Sequence, residues 1–251
     1  MGLKQPIRSW NLDDRKATAY HEAGHAVAQR YLRPHERIAK ATIIRRGHAL
    51  GFMMPAALEE RTSLFARWIE TDIMVSLAGH VVETKFLDAL STGPSSDLET
   101  ATFWAEQYVG RFAMGPTKII IPMTPGTPPI GPVIAGAHEM MDQLYEETDR
   151  LLQEKAAAVH HLARALIERL ELIGPELEEV FAEVEATHPE LKLPFERKIL
   201  QFRDFAPLPD RSRDGWTPPV TSLADAEQPA ASVGRPKGWE DPQTGTWLGS
   251  I

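Results

Sequence analysis

The chain contains no cysteine. That excludes disulfides, thiolate metal sites, iron–sulfur clusters and a cysteine nucleophile together. Any metal must therefore be held by His, Asp and Glu. A thiol-free chain tolerates either redox state, so the absence assigns no compartment. Basic charge is also in short supply: 27 Lys plus Arg against 35 Asp plus Glu leave a formal net charge of −8. Such a chain lacks the long-range field that drives non-specific nucleic-acid binding, and DNA or RNA is not expected as a partner. No uninterrupted apolar run reaches the roughly 18 residues that read as a membrane helix, so no membrane span is expected. Met1 to Trp10 lacks the apolar core of a signal peptide. By elimination, a cytoplasmic protein is the expectation.

What is present reads as one mainly helical domain with polar flanks. Asn11-Leu12-Asp13-Asp14 offers short side chains to cap a helix from Arg15 to about Leu32, stopped by Pro34. Residues 40–55 alternate β-branched and apolar stretches around Arg45-Arg46-Gly47-His48, the pattern of a β-hairpin. A run from Thr62 or Ser63 to about Leu87 is apolar all round, as in a buried helix. Ser91 to Ser96 is a loop by composition, and Ser96 with Glu99 fits a capping box opening a helix to about Phe112. Residues 115–132 read as a short apolar strand entering a Pro/Gly-rich loop. One long helical stretch is expected over 137–172, broken by Gly174-Pro175, with Pro175 as first residue of a last helix to about Ala186.

Past His188-Pro189, residues 194–203 allow a short amphipathic turn. From Asp204 onward Pro, Asp, Ser and Gly dominate without periodicity, the composition of a flexible tail. It holds Trp216, Trp239 and Trp247, which cover a patch on the chain's own body, dock a partner or have no ordered role. The expected division is an N-terminal arm over 1–12, a domain over 13–186 and a Pro-rich extension over 187–251.

The chemistry is concentrated in Ala19-Tyr20-His21-Glu22-Ala23-Gly24-His25-Ala26-Val27. His21 and His25 are four apart on a helix, so both imidazoles lie on one face and can take two corners of a zinc tetrahedron. Glu22 points away from that vertex but can reach a water on the metal, the arrangement of a metal-dependent hydrolase. Ala19, Ala23, Gly24, Ala26 and Ala28 leave room around the pair for a metal and a close neighbour. The metzincin continuation is absent, since Ala28 and Tyr31 stand where a glycine and a histidine would be required. A third protein ligand is needed; His35 sits just beyond the helix stop, so an acidic ligand from elsewhere is the expectation. Asp97, after a Gly-Pro-Ser-Ser turn, is suitably placed, but a first-turn carboxylate favoured by the helix dipole explains its position equally well.

Four segments in order, AYHEAGHAV, ATIIRRGHALGFMM, SLAGHVVETKF and STGPSSDLETAT, resemble the signatures of the FtsH-family peptidase domain. ERLELIGPELEEV resembles the end of its helical part. The resemblance covers about residues 13–186 and implies a zincin-like helical peptidase domain, with a small β-hairpin or sheet beside the active-site helix. By matching position it implies zinc held by His21, His25 and Asp97, with Glu22 as catalytic base. Glu83 matches a recurrent glutamate that would orient a histidine or the water; a core-edge glutamate paired with a cation is the plainer reading. His80 stands where the family has arginine. The stretch from Ile43 to Phe52 resembles an edge strand that holds extended substrate by backbone pairing.

FtsH proteins also carry membrane helices and an ATPase module, and no G-x-x-x-x-G-K-[ST] phosphate loop occurs in this sequence. The expectation is a zinc metalloendopeptidase acting on peptides or unfolded proteins, either alone or with a separate ATPase subunit. A homo-oligomer, a ring of six, is implied by the resemblance. The alternative is an FtsH-like subunit of little or no activity that serves as a binding or regulatory scaffold through its Trp-bearing tail.

Overall fold

The computed structural model describes residues 11–44, 52–55, 63–87, 91–116, 120 and 129–202. The first helix, α1, spans Leu12–Leu32, and the Asn11 side chain accepts a hydrogen bond from the Asp13 amide at its start. Two short strands follow, β1 (Ile38–Thr42) and β2 (Phe52–Pro55), then α2 (Ala66–Phe86) and α3 (Ser95–Glu106). A single π-helical turn, Gln107–Arg111, extends α3. Next come α4 (Gly131–Glu154), α5 (Ala156–Arg169), β3 (Glu171–Ile173) and α6 (Gly174–Thr187), ending in a 3₁₀ turn at Pro189–Lys192. Among the described residues no helix is long and apolar enough to cross a membrane.

The centre of the fold is the α1–α2 pair. α1 packs on α2 and α5, while α2 packs on α3 and α4. The small residues of α1 let the two axes approach closely: a Cβ at Gly24 would lie 2.8 Å from the Ala78 carbonyl oxygen. That contact is too short for any other residue. Ile69, Ile73, Met74, Leu77, Val81 and Val82 of α2 are all buried, as a helix apolar on every side must be. The strands form one antiparallel sheet ordered β2-β1-β3, with Lys40 of β1 opposite Met54 on one side and Ile173 on the other. This sheet packs against α1.

Several expectations change. Most of the stretch Ile43–Phe52 expected as an edge strand, residues 45–51, lies outside the described residues; β1 ends at Thr42 in the middle of the sheet, and β2, which begins at Phe52, is one edge. No capping box forms at Ser96, because α3 starts earlier, with Pro94 at the cap and its carbonyl accepting from the Leu98 amide. The single long helix over 137–172 is two helices. The chain bends at Lys155, which is 3% exposed and donates to the Leu191 and Leu193 carbonyls at 3.2 and 2.8 Å. Leu170, at φ 67°, ends α5 and turns the chain into β3, whose pairing with β1 overrides the helical pattern of Glu171-Leu172-Ile173. Pro175 is the second residue of α6, after Gly174.

Residues 194–202 form no helix but are well anchored. Leu191 and Phe195 are buried, and Arg197 pairs with Glu70 of α2 at 2.9 Å and bonds to Thr71 at 3.1 Å. The strand and loop expected within 117–128, apart from Ile120, lie outside the described residues, as do the 203–251 segment and its three tryptophans.

Candidate metal centre

α1 sets His21 and His25 one turn apart with their rings edge to face, centroids 4.6 Å apart. Asp97, the third residue of α3, brings its carboxylate to both rings. His21 Nε2 lies 3.1 Å from Asp97 Oδ2, His25 Nε2 lies 3.4 Å from the same oxygen, and the two Nε2 atoms are 3.0 Å apart. Among the described residues this is the one cluster of three or more metal-ligating side chains whose ligand atoms converge.

The partners of the other ring nitrogens decide which way the lone pairs point. His25 Nδ1 is 2.7 Å from the Val75 carbonyl oxygen, which can only accept, so Nδ1 carries the proton. His21 Nδ1 is 2.9 Å from Glu83 Oε1, and Ser91 donates to the other Glu83 oxygen at 2.7 Å. Burial works against a charged Glu83, but the hydrogen bonds from His21 and Ser91 outweigh it and hold its pKa below the usual value. An ionised Glu83 puts the His21 proton on Nδ1. Both neutral rings then present bare Nε2 atoms to each other and to the Asp97 carboxylate.

Three lone pairs aimed at one point repel unless a cation lies between them. Zinc bonds of about 2.0–2.1 Å place tetrahedral N and O ligands about 3.3–3.4 Å apart. The observed separations of 3.0, 3.1 and 3.4 Å come within a few tenths of an ångström of that face. The donor set fits zinc. The metal-free chain resolves the repulsion with a proton: against burial, hydrogen bonds from Asp97 and Glu83 raise the His21 pKa to about 10. Asp97 is correspondingly held well below the usual carboxylate range by the two imidazoles, against its burial.

Glu22 sits beside this cluster on α1, 4% exposed. Its Oε2 is buried without a hydrogen-bond partner. Burial pushes its pKa up to about 7, against the pull of His25 and His21. A carboxyl group in that state can take up or release a proton near neutrality.

Two contributors escaped the sequence reading. A Cβ at Gly79 would stand 2.4 Å from His21 Cε1 and 2.6 Å from Nδ1. Only glycine lets the imidazole lie flat on α2. The available signal was a glycine in mid-helix, which is unfavourable unless something needs the space. Ser91, which secures Glu83, looks in sequence like any loop serine. His80 lies against Tyr145, ring centroids 5.7 Å apart, and its Nδ1 is buried without a partner.

A mainly helical domain with this donor set on two helices has the architecture of a zincin-class metallopeptidase domain. Residues 8–124 match the sequence profile of peptidase family M41. The ATP-dependent zinc metalloprotease FtsH 1 of Thermoanaerobacter sp. (strain X514) is 33% identical over 199 residues, 72% of this chain and 32% of that protein. The FtsH of Magnetococcus marinus is 32% identical over 175 residues, 62% of this chain and 26% of its own length. The FtsH of Thermus thermophilus is 29% identical over 203 residues, 70% of this chain and 30% of its own. Over residues 8–124 the chain therefore matches peptidase family M41, and it is similar to FtsH metalloproteases over 62–72% of its length. It spans between about a quarter and a third of the length of these relatives.

Proposed function

We propose that the chain is a zinc-dependent metalloendopeptidase that hydrolyses peptide bonds in peptides and unfolded proteins. The observation that carries this reading is the convergence of three lone-pair donors, His21, His25 and Asp97, next to a buried glutamate with an unpartnered oxygen. Zinc, when bound, would supply Lewis acidity that polarises a substrate carbonyl and acidifies water. His21, His25 and Asp97 would hold it, with Glu83 and the Val75 carbonyl fixing the two rings. Glu22 would accept the proton of the attacking water on its free oxygen and deliver it to the leaving amine. β2 packs against α1 and forms one edge of the sheet, so its outer backbone groups are suited to pair with an extended substrate. Backbone pairing gives affinity with little side-chain preference, in keeping with unfolded substrates.

The relatives are named ATP-dependent, and these 251 residues contain no phosphate-loop motif. We assign any ATP-driven unfolding to an ATPase module outside these residues, in the same or another polypeptide, and expect a homo-oligomer as the working form. The test compares the zinc-loaded chain with Glu22→Gln on an unfolded casein-type substrate, with metal content measured in parallel. The variant should keep its zinc and lose about two orders of magnitude in turnover. Equal turnover would remove Glu22 from the mechanism; no cleavage by the zinc-loaded parent would favour a scaffold role instead.

A further inference from the structure

On another face of α1, turned away from the metal ligands, a cleft of about 570 Å³ opens between α1, α5 and α6. We propose that it is a second binding site, for a small organic anion with a phosphate or carboxylate head on an apolar body. Lys16 and Arg164 line it from opposite helices. Neither has an ion-pair partner among the described residues, in a chain whose net charge is −8. Two cations facing one cleft repel, and an anion between them removes the repulsion.

The walls are set in advance. Tyr20 and His160 are joined at 2.9 Å between the phenol oxygen and Nδ1, and the His160 ring also lies 5.4 Å from that of Phe86. Ile167 and Val184 supply an apolar surface on the α5 and α6 sides. Negative charge is present but mostly engaged: Glu183 and Glu190 hold His161 and His188 at 3.5 and 3.1 Å, and Glu168 is the single carboxylate on the lining. The volume falls within the roughly 300–1,000 Å³ of small-molecule sites, larger than a bare inorganic ion needs. Hence the head group is carried on a body. The site differs from the metal centre in charge and in residues, and the two share only the helix α1.

The experiment titrates the zinc-loaded full chain with phenyl phosphate, phenylacetate and, as the neutral control, benzyl alcohol, by calorimetry. At least one anion should bind with a Kd below about 1 mM, while the alcohol does not. Arg164→Gln and Lys16→Gln, both at exposed positions, should each weaken that binding about tenfold, the scale of one lost charge-assisted hydrogen bond, and leave peptide turnover unchanged. Binding of the phosphate alone identifies a phosphorylated small molecule as the occupant, and of the carboxylate alone an acyl or peptide carboxylate. An anion caught at the metal would bind all three proteins equally, and that result overturns the proposal. So does the absence of any preference for the anions over the alcohol.

Discussion

At the scale of single residues, the centre depends on positions that never touch a ligand atom with their own side chains. Gly79 is the clearest. An alanine there would bring its methyl within 2.4 Å of the His21 ring, and the ring rather than the backbone would yield. Gly79→Ala should therefore fold, at a cost of about 1–3 kcal/mol, but bind zinc far more weakly because His21 is displaced from its partners. Zinc titration alongside thermal unfolding separates the two effects; unchanged affinity would mean that the ring does not need this surface. Glu83 acts through His21, holding its proton on Nδ1. Glu83→Gln keeps the shape but loses the charge, and should reduce zinc affinity by about 10–100-fold, the usual scale for a residue behind a ligating histidine. If competition with a chelator gives the wild-type constant, Glu83 is a structural residue only. The histidines and Glu22 stood out in the sequence because of their spacing, and Asp97 only through the family resemblance of its segment. Gly79 and Ser91 were not, because their value lies in contacts with residues 58 and eight positions away along the chain.

Among the elements, sequence pattern identified α1, α2, α3 and α6 to within a few residues, since caps, prolines and apolar runs are local signals. It failed where a distant segment made the decision. β3 exists because β1 offers a free edge, and the α4–α5 bend exists because Lys155 is drawn to two carbonyls of the 3₁₀ turn and the residue after it. The stretch after that turn is the strongest instance. Composition assigned residues 187–202 to the extension, yet Arg197 enters between α2 and α4, within 2.9 Å of Glu70 and 3.9 Å of Glu147. The Lys198 amide donates to Glu147, and the Arg150 guanidinium lies 4.2 Å over the Phe195 ring. Removing the arginine leaves two carboxylates without their main counter-charge, and breaking a buried pair costs about 3–5 kcal/mol. Glu70 and Glu147 retain Tyr108 and Arg150, so Arg197→Ala should cost about 3 kcal/mol, measured as a lower denaturant midpoint at unchanged slope. A loss under about 0.5 kcal/mol would show that this segment is laid on the helices rather than holding them.

For the whole molecule, a metal held at this cluster would link helices that are far apart in sequence. His21 and His25 come from α1 and Asp97 from α3, with α2 between them. A ligand bound only by the folded chain stabilises it by RT ln(1 + [L]/Kd), about 4 kcal/mol at a thousandfold excess over Kd. Chelation should lower the unfolding temperature by several degrees, and zinc should restore it. Asp97→Ala should lose most of that increment, because a two-histidine site lacks its third protein ligand. If the variant is stabilised as much as the parent, another residue completes the site. The sequence by itself determined that one helix presents His21, Glu22 and His25 together, and that no thiol can serve as a ligand. These follow from a four-residue spacing that α-helical geometry converts directly into a shared face. Only the tertiary structure decided that Asp97 reaches the pair, that Glu83 sets the tautomer of His21, and that Gly79 leaves the ring its place. Those outcomes depend on how closely α1, α2 and α3 approach one another, and helix approach is governed by side-chain volumes at their interfaces, which no single segment encodes.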